Sequence, residues 1–507
     1  MINHHTPDCA ATVLESDLAA EHPLYLYWSK DKSILFYSQS ITELLDDPRV
    51  PKPLTISNEG VSFLLQSGVV PPPKTAYEDI YILGIGDQAK VSTQNGNVEI
   101  EFTHEFPFLN GNRLSPGEME PDEDKILEML AEATISRIDP SRPSFLFHSA
   151  GKDSNSIALA LAEAGWQDKV TLITHKSKGK ADESEISAKI AKQLGFKHQV
   201  LHEEDTLGPE HKQAIHDYFV DAPFPCTDNV TLAYPLYTCQ IPELKGANVI
   251  DGGGNDSYMT TPPTPRDLKV LPFAKIAHRA SFLREFAKSE SVLTPMLRTP
   301  AEWCGMSGFS LGDAQKLLPG VENVYSHWKR ESLKRAGWDL FDLKTGILTP
   351  VTAAELHIRK ARLFADAINA KFILPFADKK IAEYFRQLPE KYLFDRKTLK
   401  NKLILRKILK DRLGLDSDEL GKLGFSYDSR SVVLQNWDDI TREIDACELW
   451  NQAGVHGVVQ RLRKRMDGRG WGAQTAGRLL YKLYVLSYWF NKNRWVNPRY
   501  GSQKTEC

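Results

Sequence analysis

Ser149-Ala150-Gly151-Lys152-Asp153-Ser154 places two hydroxyls, two small residues, a lysine and a carboxylate within six positions. Small residues at the exit of a strand let backbone N–H groups approach an anion closely, and a following helix adds its positive N-terminal end. Ser149 and Ser154 supply hydroxyl donors. Asp153 is the odd member, because a carboxylate in a phosphate cradle repels phosphate unless a divalent cation lies between them. The loop therefore reads as a site for pyrophosphate with Mg. Neither G-x-x-x-x-G-K-S/T nor G-x-G-x-x-G after a strand describes it. The flanks suit the reading: Ser144–Phe147 is a short apolar, aromatic run of buried-strand type, and residues 157–164 have the Ala/Leu composition of a helix.

The elements that follow must hold this loop in place. Residues 170–174 form a second strand pattern. Residues 182–195, DESEISAKIAKQLG, have helical periodicity with acids in the first turn, and residues 197–201 form a third strand pattern. A β-α-β-α-β run of this kind predicts an α/β fold: a parallel sheet with helices on both faces, Rossmann-like. A helix-rich C-terminal part is expected, with helices over 356–369, 379–387, 397–412 and 475–491. Residues 122–138 read as a helix leading into the first strand, and 271–286 as a basic, amphipathic helix inside a proline-rich excursion at 261–300.

Residues 149–154 resemble the S-G-G-x-D-S loop of the ATP pyrophosphatase (adenine nucleotide α-hydrolase) superfamily, with Ala150 in place of the first glycine. Further blocks follow in the order found in asparagine synthetases. VIDGGGNDSYM at 249–259 resembles their second phosphate loop, S-G-E-G-A-D-E. LPFADKKIAEYFRQLP at 374–389 resembles P-F-L-D…L-P, NKLILR at 401–406 carries K-x-x-L-R, and Lys422-Leu423-Gly424-Phe425 matches K-x-G-F. The chain thus resembles the asparagine synthetase-like ligases, a family that includes β-lactam synthetases and lasso-peptide cyclases. The resemblance implies ATP and Mg as cofactors. It implies adenylation of a small-molecule or peptide carboxylate, then amide formation with an amine or ammonia, releasing AMP and pyrophosphate. It assigns Asp153 and Asp256 to Mg and Lys402 to catalysis, with Arg406 on the same helical face. Ser149, Ala150, Gly151, Lys152, Asp153, Ser154, Thr174, Gly252, Gly253 and Lys422 are the expected nucleotide contacts.

Two departures concern the acceptor side. Gly253 stands where the family has Glu or Tyr, and Lys371 where it often has an acidic residue; neither acts as a carboxylate or phenolate base. Ser257 replaces the final Glu of the second loop. Cys226-Thr227-Asp228-Asn229 lie where relatives line the substrate pocket. The alternatives to the ligase reading are an ammonia-dependent amidotransferase fed by a separate glutaminase subunit and a non-catalytic nucleotide-binding relative.

Residues 24–108 resemble only the second half of the family's glutaminase domain. Ile2 follows Met1, and Cys9 is neither terminal nor expected to follow a strand. A terminal cysteine works because its own α-amine is the base, so no intrinsic glutaminase activity is expected. The division expected is a truncated glutaminase-like (Ntn-like, small α+β) region over 1–115 and a synthetase domain over 120–500, with a polar linker near 109–120. A net charge of −3 with 25% charged residues argues against a nucleic-acid partner. The apolar stretch at 479–490 is broken by Lys482, and there is no signal-peptide pattern, so no membrane partner is expected. Six scattered cysteines without CxxC fit a reduced, cytoplasmic location. A homodimer is compatible with all of this.

Overall fold

The chain starts with β-structure interrupted by two helices, Ile41–Asp46 and Asn58–Ser67, and along Asp87–Gln94 buried positions alternate with more exposed ones. The computed structural model describes residues 2–7, 9–178, 182–420, 427–497 and 499. Strands β1 (Asn3–His5), β2 (Thr12–Glu15), β3 (Leu24–Trp28), β4 (Leu35–Ser38), β5 (Ile80–Leu83), β6 (Asp87–Gln94) and β7 (Asn97–His104) form two antiparallel sheets, β1-β4-β3-β5 and β2-β6-β7. Strand β3 explains their stacking. Leu24 and Leu26, with Leu35 and Leu83, face the second sheet and meet Val91 of β6. Tyr25 and Tyr27 face the other way, into a core shared with the C-terminal helices. Cys9 follows β1 directly, in an exposed turn, so the expectation that no strand precedes it is corrected.

Five further strands make the central sheet: β8 (Ser144–Phe147), β9 (Thr171–Lys176), β10 (Lys197–His202), β11 (Asn248–Ile250) and β12 (Lys371–Ile373). Their order is β10-β9-β8-β11-β12 and every pairing is parallel. The α/β expectation holds, with helices on both faces, a helix-rich C-terminal part and small antiparallel sheets at the N-terminus. Alternation along the strands feeds two cores. Phe145, Ile173, Leu201 and Val249 point to one, covered by helices 209–221, 233–240, 359–367 and 471–492. Leu146, Leu172, Ile250 and Ile373 point to the other, under helices 123–135, 152–163 and 403–413. The chain winds outward in opposite directions from β8 and β11. Loops after adjacent strands at such a switch point border a crevice.

Three helices differ from expectation. The helix expected over 271–286 spans Pro265–Ala277 and gives way to a 3-10 turn at Ser281–Glu285. The one expected over 356–369 is preceded by an eleven-residue π-helix, Leu348–Ile358, and is α-helical only over Arg359–Ala367. Pro350, near the start of the π segment, has no N–H to give to an α ladder. Residues 397–412 do not form one helix: Lys400–Asn401 is a short strand, Lys402 has φ 59°, and the helix runs Leu403–Leu413.

Candidate active site

The loops after β8 and β11 touch backbone to backbone. A Cβ on Gly252 would lie 3.1 Å from the Ser154 nitrogen and 3.2 Å from the Asp153 Cβ. Gly254 has φ +103°, and a Cβ there would meet the Ala377 nitrogen and Cβ at 3.1 Å. The second loop is therefore glycine-rich because it is squeezed between the first loop and residue 377.

The first loop is braced from within. Gly151 N–H donates to Ser149 Oγ at 3.0 Å, and Ser149 N–H to Ser154 Oγ at 3.2 Å. Asn155, fully buried, donates its amide to the carbonyls of Ser149 (3.0 Å) and Gly151 (2.6 Å). Its Oδ1 therefore faces His148 Nε2 at 2.9 Å and accepts from it. Burial pushes the His148 imidazole down to about 4, so the ring is neutral. Ala150 N–H donates to the Glu183 carboxylate at 2.9 Å. Burial raises the Glu183 carboxyl, against the bonds from Ala150 and Ser149.

Lys402 joins the two loops. Its Nζ lies 2.7 Å from Asp153 Oδ2, 2.9 Å from Asp256 Oδ1 and 2.8 Å from Asn255 Oδ1. Asn255 also donates to Asp153 Oδ1 at 2.7 Å. Lys402 is 5% exposed. Burial pulls its pKa down, but Asp153 and Asp256 overcome that and hold it above the ordinary lysine value, so the ammonium stays charged. The left-handed backbone at Lys402 aims the side chain into the crevice from a point just before the helix, not from its face.

Beside this triad opens a cavity of about 260 Å³. Ser149, Gly151, Asp153, Ser154, Gly252 and Gly253 line it on the loop side, and Thr174, His175, Glu183, Tyr234 and Asp251 line the rest. Thr174 Oγ1 pairs with His198 Nε2 at 2.9 Å. His175 Nδ1 lies 3.0 Å from the Tyr237 hydroxyl. Asp251 accepts from Gly253 N–H at 2.7 Å; burial raises its carboxyl above the usual range, opposed by that bond and by Lys360.

The remaining expected residues are placed as follows. Lys152 stands at the start of helix 152–163, half-buried, close enough to Glu183 to lower its carboxyl. Arg406 turns away from the triad: Nε donates to the Asn401 carbonyl at 2.8 Å and Nη1 to Asp418 at 2.5 Å. Lys422 and the rest of the K-x-G-F block lie outside the described residues. Lys371 is exposed at the start of β12. Cys226 is buried and its thiol is raised by that burial, so it is no ready nucleophile. Thr227 donates to the Gly68 carbonyl at 2.5 Å, and Asp228 pairs with Lys360 at 3.4 Å.

Sequence reasoning missed Asn155, Glu183, Asn255, Asp251 and Lys360. The two asparagines had a signal, since each adjoins a loop carboxylate or hydroxyl in the chain. Glu183 is legible only as a helix-start acid.

Asp153 and Asp256 fit a Mg ion as two oxygen donors converging on one point. Two carboxylates leave most of six coordination positions to phosphate oxygens and water. Among the described residues no group of three or more His, Cys, Asp or Glu is arranged to hold a metal without such help. The family model described as asparagine synthase matches residues 125–490. No curated protein matches the chain.

Proposed function

The chain belongs to the asparagine synthase family, whose members are ATP-dependent amide-forming ligases, and from that premise we propose that it activates a carboxylate as an acyl-adenylate and passes the acyl group to an amine or ammonia, releasing AMP and pyrophosphate. The observation that carries this reading is the Lys402 ammonium held between Asp153 and Asp256, one from each loop, beside a cavity of about 260 Å³ lined by both loops. Attack of a carboxylate oxygen on the α-phosphorus breaks the bond to the β-phosphate oxygen and concentrates negative charge there. A charge donor beside that point stabilises the transition state.

Each residue then has a task. The Ala150 N–H and the start of helix 152–163 receive the leaving pyrophosphate, the Ala150 N–H becoming free for it once Glu183 gives way. Lys402 bears on the charge that moves to the α-phosphate and acyl oxygens. Asp153 and Asp256 would hold a Mg ion, which would supply Lewis-acid neutralisation of the phosphates. Thr174 and His175 border the nucleoside side of the cavity. Gly253 and Lys371 supply no base, so the attacking amine loses its proton to another group. On this reading the nitrogen comes from a substrate amine or from ammonia delivered by a separate glutaminase subunit.

The test is the product pair. Incubation with Mg-ATP and a panel of carboxylates and amines, followed by nucleotide chromatography, is expected to yield AMP and pyrophosphate. ADP with orthophosphate as the first products refutes the reading.

A further inference from the structure

Eight of the eleven exposed large apolar side chains among the described residues lie within 268–296. Phe273, Ile276, Phe282, Phe286 and Val292 are each between 66% and 79% exposed. Isolated exposed apolar residues need no explanation, but such a concentration marks an interaction surface. They sit on, or at the ends of, three short elements, Pro265–Ala277, Ser281–Glu285 and Leu293–Met296.

Charge selects the partner. Residues 265–296 carry six basic and three acidic side chains, in a chain whose net charge is −3. Two of the acids are used internally: Asp267 pairs with Lys344 at 2.7 Å and Glu290 with Arg461 at 3.1 Å. Lys269, Lys275, Arg279 and Lys288 are exposed among the apolar side chains, and none is in an ion pair within the described residues. Two-fold pairing of copies through this face would set cation against cation. Protein hot spots favour Trp, Tyr and Arg; the segment has arginines but neither Trp nor Tyr. Phenylalanine and aliphatic side chains interleaved with lysine and arginine suit an interface where hydrocarbon and anionic headgroups alternate with depth.

We propose that residues 265–296 form a docking face for an anionic lipid surface, with Phe273, Ile276, Phe282 and Phe286 entering the acyl boundary and Lys269, Lys275, Arg279 and Lys288 meeting headgroups. The expectation of no membrane partner rested on the lack of a span and a signal; a peripheral face needs neither. Binding through one such face is weak and reversible.

The experiment is co-sedimentation of the full chain with vesicles of phosphatidylcholine alone and of phosphatidylcholine mixed with phosphatidylglycerol. Binding is expected to the mixed vesicles, weaker at high salt. Phe282→Ser/Phe286→Ser is expected to lower the partition coefficient at least about tenfold, and Lys275→Glu/Arg279→Glu to remove the preference for anionic lipid. All four positions are outside the core, so circular dichroism and melting should be unchanged. Absence of binding to mixed vesicles, or a double Phe variant that binds like the parent, overturns the proposal. So does a dimer in solution that Phe282→Ser/Phe286→Ser dissolves, since the occupant is then a second copy.

Discussion

Lys402 combines a buried charge with a backbone that L-residues adopt reluctantly. The two can be separated. Lys402→Gly and Lys402→Ala both delete the ammonium, but only glycine suits φ 59°. Turnover should fall on the order of 100-fold in both, with the loss in kcat and not in ATP binding. Lys402→Arg should not restore it, because a planar fork cannot occupy the place of a point charge. In urea unfolding the glycine variant should exceed the alanine variant by about 1 kcal/mol. Near-parental kcat in either variant would reduce Lys402 to a structural ion pair. Gly254 is the complementary case, with no side chain and no room for one. Gly254→Ala combines positive φ with a Cβ pressed on residue 377, and should lower stability by about 1–3 kcal/mol in a thermal or urea melt.

At the scale of elements, the loop after β8 depends on helix 152–163 to hold its shape. Asn155→Leu keeps the volume but strands the Ser149 and Gly151 carbonyls and His148 Nε2. The expected loss is at least about 2 kcal/mol, and ATP binding by calorimetry should weaken with it. The C-terminal helix Trp471–Lys492 carries a different liability. Lys482 is buried, donates to the Ser307 carbonyl at 2.6 Å, and burial lowers its pKa to about 8. The unfolded chain binds this proton up to about pH 10.4, so the destabilisation is fully present below about pH 8 and is relieved as pH rises from 8 towards 10.4. Lys482→Met should therefore gain most over the parent near neutral pH, by up to about 3 kcal/mol, and the gap should close by pH 10; a pH-independent difference would refute this assignment. These supports also mark the limit of what the residues alone convey. The loops at 149–154 and 252–256 are local patterns of glycine, hydroxyl and carboxylate, and β8 and β9 begin as short apolar runs, so both were legible. Glu183 meets Ala150 only because strands β8 and β9 pair, and the convergence of Asp153, Asp256 and Lys402 comes from chain crossings of a hundred residues or more. The expected helix over 356–369 takes in only the last three residues of the π-helix Leu348–Ile358, whose start was not legible.

For the whole molecule, the N-terminal sheets are built into the rest. Tyr77 donates to the Pro223 carbonyl at 2.7 Å and packs tilted against Trp489, Leu54 N–H donates to the Trp495 carbonyl, and Asp46 pairs with Arg494. Removal of residues 1–115 uncovers Phe224, Trp489 and Trp495 together. The truncated chain should aggregate or lose cooperative unfolding, as seen by size-exclusion chromatography and calorimetry; a monomeric, cooperatively folded 116–507 would show that the two parts are independent. The purified chain should also release no glutamate from glutamine, and release that Cys9→Ala abolishes would overturn that expectation.

The lysine between the two aspartates also has a bearing on the order of arrival of ligands. With Lys402 in contact with both, the point where a divalent ion would sit carries a net charge of −1 instead of −2. A free ion must displace an ammonium before it meets two carboxylates, whereas an ion that comes with a triphosphate brings its own oxygen ligands. Nucleotide and metal should therefore enter together. Titration with MgCl2 alone should give neither heat nor a rise in melting temperature at concentrations where Mg-ATP saturates, and an ion that binds first and tightly would show that Lys402 leaves before the nucleotide comes.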